Sequence, residues 1–380
     1  MSRCSRHPFI PPANNLMMPQ GRVRIISSLE ELKELKDPWE QLEEQCGCGI
    51  FSSYLCVSEW VRCFGDLVEP SVLVIGSKDD IEYIAPLAVR KGKMHGLPVR
   101  VLGMIGTILD SSEYYNLTFL KKKGKVGDLD ALVDGMASIK WDVLQLLDME
   151  NDELLPPLVE KLKSRWSCEM KPSRPSPIVI LDMHNDPIEN FEPRTNKRIR
   201  RIIDELKKDS RFETRLVKTP DMVERALNRY AELHIARWES KGGSIFKDAR
   251  QRDFLITMPV EMAKMKKAWV MEILIDGETA SQQLCLVDKD CIRMYRMVMN
   301  DAFKSFAPGY LAAYFAMLEA KSNGSNTFDM GPGQDEYKYK VGGIDHPNYA
   351  IEGKRGKVMM ASRLLHLVKK PSNEEAPKTD

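Results

Sequence analysis

Three apolar runs separated by short polar turns constrain this chain more than any other stretch. Trp269-Val270-Met271-Glu272-Ile273-Leu274-Ile275 is followed by Thr279-Ala280-Ser281-Gln282-Gln283-Leu284-Cys285-Leu286-Val287, then by Cys291-Ile292-Arg293-Met294-Tyr295-Arg296-Met297-Val298. Asp276-Gly277 and Asp288-Lys289-Asp290 stand between them. Asp-Gly between strand-like runs is a hairpin signal, so the stretch predicts an antiparallel meander. Phe306-Ala307-Pro308-Gly309 then breaks the pattern. Tyr310 to Lys321, rich in Ala, Leu, Met and Glu, predicts a helix with Pro308 near its first turn. Asn323-Gly324 ends that helix, and Thr327-Phe328-Asp329-Met330 predicts a short strand leading into Gly331-Pro332-Gly333.

Ahead of this stretch the chain reads as mixed helices and strands. Strands are expected over Arg22–Ser27, Ser71–Gly76, Ile81–Arg90, Pro98–Leu102, Tyr114–Leu120 and Trp141–Leu147. Helices are expected from Leu29 onward behind a Ser28 cap, and over Tyr54–Phe64, Leu129–Ile139 and Leu154–Arg165. Lys171 to Pro177 carries three prolines in seven residues and marks a junction. Arg194 to Lys208 predicts a basic amphipathic helix, with Ile199, Ile202, Ile203 and Leu206 facing inward and Arg194, Lys197, Arg198, Arg201 and Lys208 facing outward. Asp221–Glu239 and Ala249–Lys264 are expected as further helices, the first ended by Gly242-Gly243. Asp110, Glu113, Tyr114 and Tyr115 put polar and aromatic groups where the two halves would meet, a candidate acceptor wall.

A length of 380 residues suits two domains, because single cores stop growing near 250 to 300 residues. Charge is balanced, 56 Lys and Arg against 55 Asp and Glu, which argues against a dedicated nucleic-acid coat or polybasic membrane binder. Eight cysteines are scattered and no secretory apolar segment lies within Met1 to Gln20, so a reducing cytoplasmic setting is expected. The spacing of Cys46, Cys48, Cys56 and Cys63 matches no usual zinc pattern, and no metal is expected. No apolar segment approaches ~18 residues, so no transmembrane segment is expected. Six histidines, with neither Gly-x-Ser-x-Gly nor His-Glu-x-x-His, give no support to a hydrolase triad or a zinc protease.

Meander, loop, helix and strand follow one another as in the GNAT acyltransferase core. Phe306-Ala307-Pro308-Gly309-Tyr310-Leu311, Phe328-Asp329-Met330-Gly331-Pro332-Gly333 and Glu336-Tyr337-Lys338 together resemble the CelD-type cellulose-biosynthesis acetyltransferases. Those are related to the FemAB-like transferases, which carry two GNAT-type domains in tandem. Leu233-His234-Ile235-Ala236-Arg237-Trp238-Glu239-Ser240-Lys241-Gly242-Gly243, with Phe246, is similar to the same family. The resemblance runs over most of the chain and implies an α/β (α+β) fold of two tandem GNAT-like (acyl-CoA N-acyltransferase) domains. Each would be a mixed, mostly antiparallel sheet flanked by helices. The expected division is a disordered tail at 1–21, an N-terminal GNAT-like domain at 22–175, a C-terminal GNAT domain with the donor site at 176–370 and a disordered tail at 371–380.

In GNAT folds the strand before the phosphate loop parts from the next one, and its free backbone groups hold the pantetheine arm. The resemblance places Tyr295 and Met297 on that strand and Thr327 to Met330 on its neighbour. Ser305, Ala307, Gly309, Tyr310 and Leu311 would then surround the donor phosphates at the helix start, with Lys338 pairing either to them or to Asp329. Pro308 has no N–H, and Gly309 lets the backbone approach closely. The loop departs from the common Arg/Gln-x-x-Gly-x-Gly/Ala pattern, since Lys304-Ser305-Phe306-Ala307-Pro308-Gly309 has one glycine.

Acyl transfer needs a base for the nucleophile and an acid for the departing thiolate. Asp329, Glu336 and Tyr337 are the expected catalytic residues: Asp329 a carboxylate at the end of a strand in the cleft, Tyr337 the acid. Arg237, Trp238 and Phe246 are expected at the acceptor, while His234 on the same helix reads as structural. The expected activity is transfer of an acyl group from acyl-CoA, or another acyl-carrier thioester, to an amine or sugar hydroxyl by direct attack. The acceptor would be a small molecule, peptide or saccharide, in polysaccharide or envelope biosynthesis. Two alternatives stand beside it: an aminoacyl-tRNA donor, as in FemAB-like relatives, and a non-catalytic GNAT-fold binding protein.

Overall fold

The computed structural model describes residues 22–360 except 78–79, 95, 110–113, 123–128, 209 and 357. Both expected tails, and Asp110 and Glu113 of the expected acceptor wall, lie outside the described residues.

Among the described residues the strands form three sheets. Val23–Ile26, Val72–Gly76, Ile81–Ala85 and Leu120–Lys121 make an antiparallel four-stranded sheet. The expected run Ile81–Arg90 is two strands, because Pro86 interrupts it and proline cannot donate to a ladder. Leu87–Met94 goes instead to a six-stranded sheet ordered Glu69–Pro70, Leu87–Met94, Leu97–Met104, Val143–Met149, Tyr349–Lys354 and Ser167–Pro172. Tyr114 to Leu120 is not the continuous strand its apolar content suggests; Leu117 makes one isolated bridge to Met149, and pairing resumes only at Leu120.

The third sheet holds the meander. Its order is Phe212–Val217, Ala268–Ile275, Glu278–Asp288, Cys291–Met299, Thr327–Asp329, Ser176–Ile180 and Ile344–His346. Asp276 and Gly277 both take positive φ, 55° and 77°, as a two-residue hairpin requires. The Cys291 and Thr327 strands are parallel, and the other pairs in this sheet are antiparallel. The fold is therefore mixed α/β, with mostly antiparallel sheets flanked by helices, as expected.

Helices pack on these sheets through the faces their spacing sets. In Pro193–Lys208, Ile199, Ile202, Ile203 and Leu206 are buried while Arg194, Lys197, Arg198 and Arg201 face solvent. Pro220–Trp238 lies beside Ala249–Lys264 and the Cys291 strand. One apolar cluster joins both halves beside a second within the latter half: Phe51 stacks on Tyr114 at 4.8 Å, lies tilted against Tyr115 at 4.9 Å and meets Tyr295 of the meander at 5.5 Å. The chain also returns to its first half, since Tyr349–Lys354 inserts between Val143–Met149 and Ser167–Pro172.

Candidate active site

The Cys291 and Thr327 strands run side by side for three rungs only, Cys291 with Thr327, Ile292 with Phe328 and Arg293 with Asp329. Beyond that the Cys291 strand continues to Met299 paired only on its other edge, while its neighbour turns away into Gly331-Pro332-Gly333. The parting is fixed by chemistry at the last rung. Arg293 Nη1 stands 2.5 Å from Asp329 Oδ2, Arg293 Nε bonds Asp288 at 2.7 Å, and the Gly331 N–H donates to Asp329 Oδ1 at 2.8 Å. Gly331, at φ 75°, supplies the left-handed turn that leads the chain off the sheet. A register shift opposite Leu284 and Cys285 leaves Tyr295 without a direct partner, a bulge of the kind that bends a strand beside a site.

The gap opens into a cleft of about 590 Å³ lined by Met294, Tyr295, Arg296, Met297 and Met299 on one side and by Met330, Gly331 and Pro332 on the other. The helix Pro308–Ser322 starts at its edge. Its cap residue, Ala307, sits at φ 50° and gives no side-chain hydrogen bond. A non-glycine residue in that conformation is strained, and Gly309 and Tyr310 just after it line the cleft. Ser281 Oγ anchors the start by donating to Pro308 O at 2.8 Å. The N–H groups of Tyr310 and Leu311 both turn back to Ala307 O, at 3.0 and 3.3 Å. The Gly309 N–H has no acceptor among the described residues. A smaller cavity of about 180 Å³, holding Arg198, Lys304 and Ala307, shares Met299, Gly309 and Tyr310 with the cleft. An uncapped helix end with two cations beside it suits a phosphate.

The expected donor residues divide accordingly. Tyr295, Met297, Gly309, Tyr310 and Lys338 line the cleft, and Ala307 lines the smaller cavity. Leu311 is fully buried in the core, and Ser305 is exposed on the turn ahead of the helix. Lys338 is 3% exposed and its ammonium donates to the carbonyls of Gly331, Pro332 and Gly333 at 3.0, 2.8 and 3.1 Å, so it braces the loop beyond the gap.

Among the expected catalytic residues, Tyr337 lines the cleft, and burial raises its phenol above the usual range. Glu336 is exposed and pairs with Lys340 at 2.7 Å. Asp329 is wholly enclosed, with one oxygen held by Arg293 and Asn116 and the other by Gly331; it lines neither cavity. Desolvation pushes its carboxyl up, and the guanidinium of Arg293 opposes that push.

On the acceptor side, Arg237 and Trp238 line the cleft, Arg237 held by Asp301 at 3.3 Å. Phe246 is buried beneath it, edge-on to His234 at 4.8 Å. Tyr230, His234 and Trp238 lie at successive turns of one helix and stack in a column, with ring separations of 6.1 and 5.7 Å. His234 faces the cleft with Nδ1 2.8 Å from Ser244 Oγ. In the sequence His234 reads as structural, and the spacing of four that puts these three aromatics on one helix face was the unread signal for this wall. Tyr115 reaches the cleft from the first half, buried, with the Arg293 guanidinium over its ring at 5.6 Å. Arg174, Arg296 and Asp335 complete the lining without any prior sequence signal. Among the described residues no group of His, Cys, Asp or Glu is placed to hold a metal ion. No described helix is long and apolar enough to cross a membrane.

The parted strands and the uncapped helix end lie within a segment that is similar to a known enzyme domain. Residues 193–339 match the family model described as acetyltransferase (GNAT) domain, a span holding the parted strands, the Pro308 helix and Tyr337. No curated protein matches the chain. Among solved structures it is similar to a conserved protein of unknown function from Bacteroides thetaiotaomicron, with 11% identity, 88% of this chain and 100% of that one covered, and a TM-score of 0.55. It is also similar to the C-terminal domain of a putative lysylphosphatidylglycerol synthetase from Agrobacterium fabrum (10% identity, 90% and 97% covered, TM-score 0.51). The third is L-PGS from Bacillus licheniformis (12%, 88% and 97%, TM-score 0.51). These likenesses are of fold.

Proposed function

We propose that this enzyme transfers an acyl group from acyl-CoA to an amine or sugar hydroxyl bound in the same cleft. The parting of the Cys291 and Thr327 strands after the Arg293–Asp329 rung carries the reading. Pantetheine would enter that gap along Tyr295 to Met299, and the donor phosphates would meet the Gly309 N–H with Arg198 and Lys304. His234, oriented by Ser244, is positioned to accept the proton of the attacking nucleophile, and Tyr337 to protonate the departing thiolate. Asp329 acts as a positioning residue, holding Arg293 and the Gly331 turn. Division at 175/176 would give the second unit the donor site. The likeness to CelD-type acetyltransferases and the scattered free cysteines support a saccharide acceptor and a cytoplasmic setting.

Thermal shift and calorimetric titration with acetyl-CoA, longer acyl-CoA and free CoA test the donor. Stabilisation by acyl-CoA, followed by CoA release when amines or amino sugars are added, is expected. No stabilisation by any of the three would remove the donor assignment.

An aminoacyl-tRNA donor is the second reading, favoured by the exposed Arg194, Lys197, Arg198 and Arg201 and by the neighbour named as a putative lysylphosphatidylglycerol synthetase. Binding of tRNA that weakens steeply with salt would select it.

A further inference from the structure

The Cys46-Gly47-Cys48 segment has no part in the acyl-transfer chemistry. It ends the helix Lys36–Cys46, and Gly47 takes φ 60°. That turn folds the chain back so that the Cys48 N–H lies 3.3 Å from Cys46 Sγ. Both thiols are half-buried, and both line a second cavity of about 500 Å³ at the opposite end of the Cys291 and Thr327 strands from the cleft. Lys289 lines it too, with its ammonium on the carbonyl of Gly47.

The environment separates the two sulfurs. The hydrogen bond from the Cys48 side chain, helped by the Cys48 N–H and Lys289, lowers the Cys46 thiol to about 6. The same bond and burial push Cys48 up. A thiolate beside a protonated thiol, in an open cavity with a cation near, is the arrangement of a reactive sulfur with its resolving partner.

We propose that Cys46 and Cys48 form a peroxide-reactive dithiol facing this second cavity. Cys46 Sγ attacks one oxygen of a hydroperoxide, the O–O bond breaks, and the leaving oxygen departs as water or alcohol after taking a proton; Cys46 becomes a sulfenic acid. Cys48, losing its proton, then attacks Cys46 Sγ, the S–OH bond breaks and water leaves. Two thiols are oxidised by two electrons to one disulfide, and the peroxide is reduced by the same two. The disulfide tightens the Cys46–Gly49 turn, which packs where a Cβ on Gly49 would stand 3.3 Å from Asn116 O and 4.0 Å from Arg293 Nη2.

The test uses the full-length reduced protein with stoichiometric hydrogen peroxide, read by intact mass and peptide mapping after alkylation. Loss of two hydrogens confined to the peptide carrying Cys46 and Cys48 is expected. Cys48→Ser should let dimedone trap a sulfenic acid at Cys46, and Cys46→Ser should abolish both products. Iodoacetamide labelling of Cys46 in the wild-type protein should rise with a midpoint near pH 6, a readout independent of either variant folding. Oxidation that maps first to Cys291 or to another thiol overturns the proposal. So does reaction at Cys46 no faster than at a cysteine in an unstructured peptide.

Discussion

Arg293 Nη1 and Asp329 Oδ2 stand 2.5 Å apart at the last shared rung of two strands that separate immediately beyond it. Both side chains are enclosed, and Asp288 and Gly331 satisfy their remaining groups. Removing one member of a buried pair leaves the other charge uncompensated, which costs about 3–5 kcal/mol. Asp329→Ala is expected to lower the unfolding free energy by roughly that amount in urea titration and to lower turnover with it. Full stability with unchanged turnover would mean that the rung does not set the gap.

Gly309 is the point where the helix start touches the cleft. A Cβ there would sit 2.6 Å from Met299 Sδ, forcing that flexible side chain toward the groove. Gly309→Ala should weaken acyl-CoA binding about tenfold, or about 1.4 kcal/mol, in calorimetry while the melting temperature stays close to wild type. Unaltered affinity would place the donor elsewhere.

Tyr337 is a phenol raised by burial, so it keeps its proton throughout the neutral range. Tyr337→Phe should reduce kcat by about a hundredfold with little change in KM for the thioester. A loss confined to KM would make it a binding residue rather than the acid.

Glu43 offers a pH test of stability. Burial raises its carboxyl from 4.5 to about 7, against the hydrogen bond from the Tyr54 N–H. Between those values the folded state keeps a proton that the unfolded chain has released, so stability falls as pH rises from about 4.5 to about 7. Melting temperatures across this window should decline, and Glu43→Gln should flatten the decline; parallel curves for the two proteins would show that Glu43 does not cause it.

Much of this was legible in the sequence because it rests on local rules. Asp276-Gly277 located the hairpin, Pro308 the helix start, and the isoleucines of Pro193–Lys208 its inward face. Tyr295, Gly309, Tyr310, Tyr337 and Arg237 were placed by order along the chain, and they meet at one cleft. The surroundings of Asp329 were not legible. Whether a carboxylate at a strand end faces solvent or an arginine 36 residues away depends on tertiary pairing, which has no local signature. Arg174 escaped a site role for the same reason, as it comes to the cleft from the other half of the chain, whereas Tyr115 of the expected acceptor wall does line it. Tyr349–Lys354 has short alternating content that says nothing of the distant strands it joins.

That last strand has a bearing on how the molecule comes into being. Among the described residues Ser167–Pro172 bonds into its sheet through Tyr349–Lys354 alone, so a ribosome that has made the earlier strand leaves a vacant seat beside it until the later one is synthesised. The late arrival stitches residues made after the meander into the sheet of the earlier half.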